Sequence, residues 1–164
     1  MYSLLPLLVI ATAVVAAAFA LWKGDDAARI AGAVSAANAV VLPVLRMTLQ
    51  TPVGEVLQLT ADFIWAAGLL ILVVRHAALW LGVTMFLQAA QFGLHAYYLV
   101  AERPLDRLHA WINNLNTTGI SICIVVGTVI AWRRRSLDAK EEAEREARRR
   151  ERASQSVTGK SSPP

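Results

Sequence analysis

The amino-acid sequence predicts an all-α polytopic membrane protein: a bundle of about five transmembrane helices followed by a charged C-terminal tail. Hydrophobic residues make up 56% of the 164 residues, and the mean hydropathy is +0.47. Both values are high for a soluble domain. Apolar runs of about 20 residues recur along the chain, the length that a helix needs to cross a hydrocarbon core about 30 Å thick.

Five apolar segments of suitable length are present, and the connections between them are short, as in an up-and-down bundle. No domain boundary is apparent within residues 1–132. The predicted helices cover about residues 3–22, 27–45, 56–74, 77–100 and 111–132, and the tail covers residues 133–164.

The first segment resembles both a signal peptide and a membrane anchor. Its Ala18-Phe19-Ala20 sequence suits a cleavage site. However, no basic residue precedes the segment, and its apolar run exceeds the ~7–15 residues of a signal-peptide core. We therefore expect an uncleaved helix with Tyr2 and Trp22 at the two membrane interfaces.

The second segment is rich in small residues and is the least secure of the five. Ala28, Gly32 and Ala36 repeat at four-residue spacing, a pattern that lets helix backbones approach closely. We expect this face to pack within the bundle, and the alternative is a docking face for another subunit. Asn38 lies in the same segment and is expected to hydrogen-bond to a neighbouring helix. If the segment lay in the interface instead, both chain termini would be cytoplasmic.

Polar side chains form one row on the third segment and one on the fourth, at spacings of three and four residues. These six residues, which we call the polar seam, are Glu55, Gln58 and Asp62 on the third segment and Gln88, Gln91 and His95 on the fourth. Such spacing places each row on one helix face. A chain reversal at Arg75-His76 brings Glu55 to His95, Gln58 to Gln91 and Asp62 to Gln88 in a single antiparallel register.

The polar seam has two interpretations, because polar groups within a membrane are costly and turn toward each other or toward function. In the first, the two rows hydrogen-bond across the hairpin and fix its register, at ~0.6 kcal/mol per bond. In the second, Asp62, Glu55 and His95 relay protons or hold a cation.

The fifth segment begins with an unusually polar stretch. Asn113, Asn114, Asn116, Thr117 and Thr118 are expected to lie in the membrane interface and to cap the start of the helix.

The histidines and the single cysteine limit the cofactors that the chain can hold. His76 is expected in a turn at the interface and His109 in an exposed loop. His76 and His95 are about 28 Å apart along one segment, so they cannot share a haem. His95 and His109 both lie toward the same end of the bundle, which leaves a haem between them possible, but nothing else in the sequence supports it. One cysteine, Cys123, excludes an intrachain disulfide and a cysteine-based metal site. We predict no cofactor and no metal.

The tail carries the whole net charge of +4, since residues 133–164 hold 10 of the 16 basic and 6 of the 12 acidic residues. Arg133, Arg134 and Arg135 follow the fifth helix directly, which predicts a cytoplasmic C-terminus and an outside N-terminus in a bacterial-type plasma membrane. The same arginines are candidates for binding anionic headgroups. Residues 136–153 are predicted to form a charged helix, and residues 155–164 to be disordered.

No catalytic or nucleotide-binding motif is present, which argues against an enzyme. The leading hypothesis is an accessory or scaffold subunit that acts through helix packing and its charged tail. The alternative is a transporter or proton-conducting unit that uses the polar seam, and a weaker one is a haem- or quinone-binding redox subunit. The expected partners are the lipid bilayer and either another membrane protein or further copies of the chain. No nucleic acid is expected, because the basic charge belongs to a tail.

Overall fold

A computed structural model describes residues 4–49, 53–104 and 106–158. This part of the chain contains five α-helices and no strands, which confirms the all-α prediction. The helices are α1 (Leu5–Lys23), α2 (Asp26–Thr48), α3 (Val53–His76), α4 (Leu79–Val100) and α5 (Arg107–Thr158).

Helix α5 differs most from the prediction. It begins four residues before Trp111 and continues to Thr158 without interruption. No glycine or proline lies between Trp132 and Thr158 to interrupt it, and the Ser136 hydroxyl donates to the Trp132 carbonyl at 3.0 Å. Residues 155–158, predicted to be disordered, are helical, and residues 159–164 lie outside the described part. The tail is therefore an extension of the last bundle helix.

The five helices pack as a closed ring of neighbours. The most extensive contacts join α3 to α4, α1 to α2, and α5 to both α1 and α4, while α2 also contacts α3 and α5. The predicted hairpin of α3 and α4 is present. We call the end with the α4–α5 connection the loop end, and the end with the α3–α4 turn, where α5 leaves the bundle, the tail end.

The half of the bundle nearer the tail end is filled with apolar side chains. Leu69, Leu81 and Ile124 are at most 1% exposed at its centre. On its α4–α5 side the Trp80 ring lies over Gly127, where a Cβ atom would come within 2.4 Å of the ring. Helices α1 and α2 also approach closely, through the alanine-rich faces that both carry.

The polarity of the molecule is reversed relative to a soluble domain. Large apolar side chains such as Ile71, Phe86 and Leu115 are 66–71% exposed, whereas Asp62 and Gln88 are 1–2% exposed. Two helical stretches, Val53–His76 and Arg107–Arg150, are long and apolar enough to cross a membrane. These two support membrane association weakly, and the number of five transmembrane helices stays a prediction.

Candidate functional site

Asp62 on α3 lies at the centre of the polar half of the bundle. Its side chain is 1% exposed, and both carboxylate oxygens have partners on α4. Oδ1 accepts a hydrogen bond from Gln88 Nε2 at 3.0 Å, which is the Asp62–Gln88 pair that the hairpin register predicts. Oδ2 lies 2.5 Å from His95 Nδ1.

His95 pairs about two helical turns deeper than the register implies. It was expected opposite Glu55, but its ring reaches Asp62, and its Nε2 lies 3.2 Å from Gln58 Nε2. Side chains lean toward the N-terminus of their own helix. In an antiparallel pair Asp62 therefore leans toward the loop end and His95 toward the tail end, so the two meet between their Cα levels. Gln58, expected to meet Gln91, instead contacts His95.

The second ring nitrogen of His95 lies between a donor and an acceptor. Gln58 Nε2 and Asn113 Oδ1 on α5 each lie 3.2 Å from His95 Nε2. A neutral imidazole that donates from Nδ1 to Asp62 can accept from the Gln58 amide. A protonated imidazole can donate to the Asn113 carbonyl oxygen instead. Both protonation states of His95 thus find hydrogen-bond partners without a change of rotamer.

A cavity of about 360 Å³ opens beside this pair, and all five helices contribute to its wall. Most of the polar wall consists of side-chain amides and hydroxyls. The polar lining residues are Ser35, Asn38, Gln58, Asp62, Gln88, Gln91, His109, Asn113, Asn114 and Thr117. Gln91 Oε1 is buried and accepts no hydrogen bond from the part of the chain that the structure describes.

A second, smaller recess of about 30 Å³ lies on the loop-end side of His95. Glu55, Tyr98 and Arg103 line it together with His95, and Gln58 and His109 line both the recess and the cavity. Glu55 is therefore part of the site but occupies its outer compartment. Gln58 and His109 form the partition between the two spaces.

His109 was expected in an exposed loop, and this prediction is wrong. The residue belongs to α5, is 7% exposed, and its ring centroid lies 5.2 Å from that of His95 and 4.8 Å from that of Tyr98. The two imidazoles are in contact, so no porphyrin plane fits between them as the weaker haem hypothesis would require. Among the described residues, no group of three or more histidine, cysteine or carboxylate side chains is placed to hold a metal ion.

Asp106, and not the asparagine-rich stretch, caps the start of α5. Its Oδ1 accepts the His109 backbone N–H and the Tyr98 hydroxyl, each at 2.8 Å. The backbone hydrogen bond from His109, followed by the one from Tyr98, holds the pKa of Asp106 below its usual value. With the helix beginning at Arg107, Asn113 lies almost two turns inside it and faces the cavity.

The α5 wall of the cavity carried a sequence signal of its own. His109, Asn113 and Thr117 recur every four residues, the same periodicity that identified the seam on α3 and α4. With the predicted helix starting at Trp111, His109 lies outside the helix and the pattern is not recognised.

The cavity is closed toward the tail end by the apolar cluster around Leu69. Three buried hydroxyls lie in this region, and each is satisfied within its own helix: Thr84 donates to Trp80, Ser121 to Thr117 and Thr128 to Ile124. In the described structure no polar passage continues through the bundle. The geometry is that of a binding site closed toward the tail end.

The small residues of α2 lie against α1. Ala28 is fully buried, and a Cβ on Gly32 would come within 2.9 Å of Ala20 Cβ and 3.2 Å of Ala17 Cα. Ala36 is half-buried. The structure places this face inside the bundle.

The three tail arginines, Arg133, Arg134 and Arg135, are exposed. The Arg135 guanidinium donates to the Lys23 carbonyl at the end of α1, where a cation complements the helix dipole. The Lys23 ammonium lies 4.3 Å from the centre of the Trp22 ring and 5.5 Å from that of Trp132. Aromatic and basic side chains thus meet at the tail end, as they do at a membrane interface.

No protein-family model, curated protein or solved structure matches the chain.

Proposed function

We propose that the chain is a multi-pass protein of the plasma membrane with five transmembrane helices. The apolar outer surface of all five helices supports this, because lipid is the solvent that such a surface suits. Arg133–Arg135 and Lys23 at the tail end support a cytoplasmic C-terminus, with the N-terminus and the loop end outside.

Within this setting we propose that the polar seam is the proton-binding site of a transport unit. The observation that carries the proposal is the buried Asp62–His95 pair, whose imidazole has a hydrogen-bond partner in either protonation state. A proton entering by the outer recess would reach His95 Nε2. It would convert an anionic pair into a neutral ion pair of carboxylate and imidazolium, which removes a net buried charge.

Protonation also acts on the partition between recess and cavity. Once His95 Nε2 carries a proton, it no longer accepts from the Gln58 amide and donates to Asn113 instead. Gln58 lines both spaces, so the loss of this hydrogen bond alters the wall between them. Because the cavity is closed toward the tail end, transport requires either a conformational change or assembly of several copies.

The test is proton flux into proteoliposomes under an imposed pH gradient, followed with an enclosed pH-sensitive dye. Asp62→Asn and His95→Ala should each reduce the flux at least tenfold, whereas His76→Ala, an exposed histidine at the α3–α4 turn, should retain it. Folding of each variant is checked by its helix content and elution volume. Flux that is unchanged in both seam variants, or absent from the wild-type protein, would refute this function.

An accessory-subunit role is the second candidate, favoured by the part of α5 that lies beyond the bundle. Residues 133–150 are exposed throughout, and the 26 residues from 133 to 158 extend about 39 Å at 1.5 Å per residue. Glu141–Arg145 and Glu146–Arg150 pairs at 3.6 and 3.7 Å support this helix. It offers a charged surface to a membrane-protein partner or a second copy of the chain.

Native mass spectrometry after isolation in mild detergent tests this role. The full chain is expected to carry a partner or form an oligomer, and a chain ending at Arg135 is expected to lose it. A monomer in both preparations would contradict the accessory role.

A further inference from the structure

We infer that the 360 Å³ cavity binds a small uncharged solute with an apolar body and a carboxamide group. This assigns a substrate class to the proposed transport site and rests on that proposed function for its physiological meaning. The inference itself stands on the charge, the hydrogen-bonding capacity and the shape of the cavity wall.

The charge of the wall excludes ions. Asp62 is the only carboxylate among the described residues that line the cavity, and both its oxygens are already hydrogen-bonded, to Gln88 and His95. Among the side chains that the structure describes, no lysine or arginine lines it. An anionic solute would meet no ammonium or guanidinium countercharge from these residues, and a cationic one would have to displace the His95 imidazole from Asp62. A buried ion without a partner is strongly disfavoured, so an uncharged solute fits best.

The hydrogen-bonding groups of the wall favour an amide. Most of its polar residues carry side-chain amides, and Gln91 presents a buried Oε1 that accepts no hydrogen bond from the described residues. A buried acceptor without a donor is unfavourable, so a ligand with an N–H group gains by supplying one. A carboxamide carries donors and an acceptor together, and can therefore form paired hydrogen bonds with Asn or Gln side chains. Asn38 on α2 and Asn114 on α5 line the cavity, and their side chains can form such hydrogen bonds with the solute.

The shape of the wall favours an apolar body on the same molecule. Helix α1 contributes Leu7 and Ile10, and α2 contributes Leu42, while the amides come mainly from α3, α4 and α5. One side of the cavity is thus apolar and the other polar. Its volume equals that of about twelve water molecules at ~30 Å³ each, the lower end of the range for ligand pockets. A solute of butanamide size fits with room for bound water.

The test compares three molecules that share one carbon chain: butanamide, butyrate and n-butylammonium. Each is titrated into the full-length protein in lipid nanodiscs at pH 7 and constant ionic strength, with saturation-transfer NMR of the ligand as the readout. Butanamide is expected to saturate and to bind at least tenfold more tightly than either ion. Equal or tighter binding of an ion would overturn the assignment, and so would an absence of saturable butanamide binding.

Three variants localise the binding. Ala39→Leu fills the cavity and should weaken butanamide binding at least tenfold, whereas Ala90→Leu, on the exposed face of α4, should leave it unchanged. Gln91→Leu removes the buried acceptor and should weaken it about two- to tenfold, the value of one hydrogen bond. If Ala39→Leu, confirmed as folded by its helix content, bound butanamide like the wild type, the solute would lie elsewhere and the inference would be wrong.

Proton flux measured without butanamide separates this inference from the proposed function. Flux that depends on Asp62, together with no butanamide binding, would refute the solute class and leave the proton site. Binding that is sensitive to Ala39→Leu, together with no flux, would refute proton transport and leave a binding cavity.

Discussion

At the scale of single residues, the contact between Asp62 and His95 sets the chemistry of the molecule. Neutral hydrogen bonds between membrane helices average ~0.6 kcal/mol and reach about 1.7 kcal/mol. Removing one partner of a buried charged pair costs about 3–5 kcal/mol, because the remaining charge stays uncompensated. The two magnitudes are far enough apart for a stability measurement to show whether Asp62 and His95 form a charged pair or a neutral hydrogen bond.

We expect a double-mutant cycle of Asp62→Ala and His95→Ala to give a coupling energy above ~1.7 kcal/mol. The readout is the free energy of unfolding in mixed detergent micelles. The same cycle with Thr60→Ala, an exposed α3 residue, in place of Asp62→Ala should give a value near zero. A coupling energy near ~0.6 kcal/mol would mean that both side chains are uncharged. The proposed proton mechanism needs a charged Asp62 carboxylate, so this result would contradict it.

The spacing of the seam predicted part of this site and missed part of it. Spacings of three and four residues determine which helix face a side chain occupies, and the Asp62–Gln88 contact followed from that alone. The partner of His95 did not follow, because register is counted at Cα atoms while hydrogen bonds form at side-chain tips. The tips are displaced along the helix axis in opposite directions on α3 and α4.

At the scale of elements, the packing of α1 against α2 depends on the absence of a side chain at Gly32. Gly32→Ala would place a methyl group 3.2 Å from the Ala17 Cα atom, which cannot move without its helix. The expected loss is about 1–3 kcal/mol, as for other overpacked sites. Gly93→Ala is the matched control, because nothing lies within 4 Å of its added Cβ, and alanine favours the helix by up to ~1 kcal/mol. The two substitutions should therefore change the free energy of unfolding in opposite directions, and a stabilising Gly32→Ala would contradict the close approach.

The cap of α5 gives a pH dependence at the loop end of the bundle. The His109 N–H, and after it the Tyr98 hydroxyl, keep the pKa of Asp106 below its usual value. The stabilisation is therefore complete above about pH 4, the unfolded pKa of the carboxyl group, and is lost as the pH falls from there through the lower folded value.

Thermal unfolding of the wild type and of Asp106→Asn, measured from pH 7 to pH 3, should show this dependence. The wild type should have the higher Tm at pH 7, by a few degrees, and the difference should shrink below about pH 4. A difference that is constant across the range would mean that the Asp106 carboxylate does not contribute through its charge.

The start of α5 illustrates how one boundary determines a site. Asp106 follows Pro104 by two residues, and an aspartate shortly after a proline is typical of a helix start. The polar residues after Trp111 gave a competing signal, since asparagine and threonine also favour helix ends. Only packing against α4 distinguishes the two, because it turns His109 and Asn113 inward toward His95.

At the scale of the whole molecule, the five apolar segments were predictable because a membrane-crossing length is long enough to average out local exceptions. The order in which the helices pack was not, since apolar faces that are alike do not specify their neighbours. Polar side chains do specify them, and His95 joins α3, α4 and α5 through Asp62, Gln58 and Asn113.

The proposed topology can be measured with single cysteines in a Cys123→Ser background. A membrane-impermeant maleimide added to intact cells should label Glu102→Cys at the loop end and leave His76→Cys at the tail end unlabelled. Both side chains are exposed, so accessibility is matched. The reverse pattern would mean that the bundle has the opposite orientation. Labelling of both sites would contradict the proposal that the two ends lie on opposite sides of the membrane.

The continuity of α5 has a mechanical consequence. The helix lines the cavity with Asn113, crosses α4 where Gly127 lies under the Trp80 ring, and extends beyond the bundle as a single rod. A tilt of about 5° at that crossing would displace Arg150, ~35 Å further along the rod, by about 3 Å. The same tilt would move the cavity wall in the opposite direction, because Asn113 and Arg150 lie on the same rigid helix on either side of the crossing.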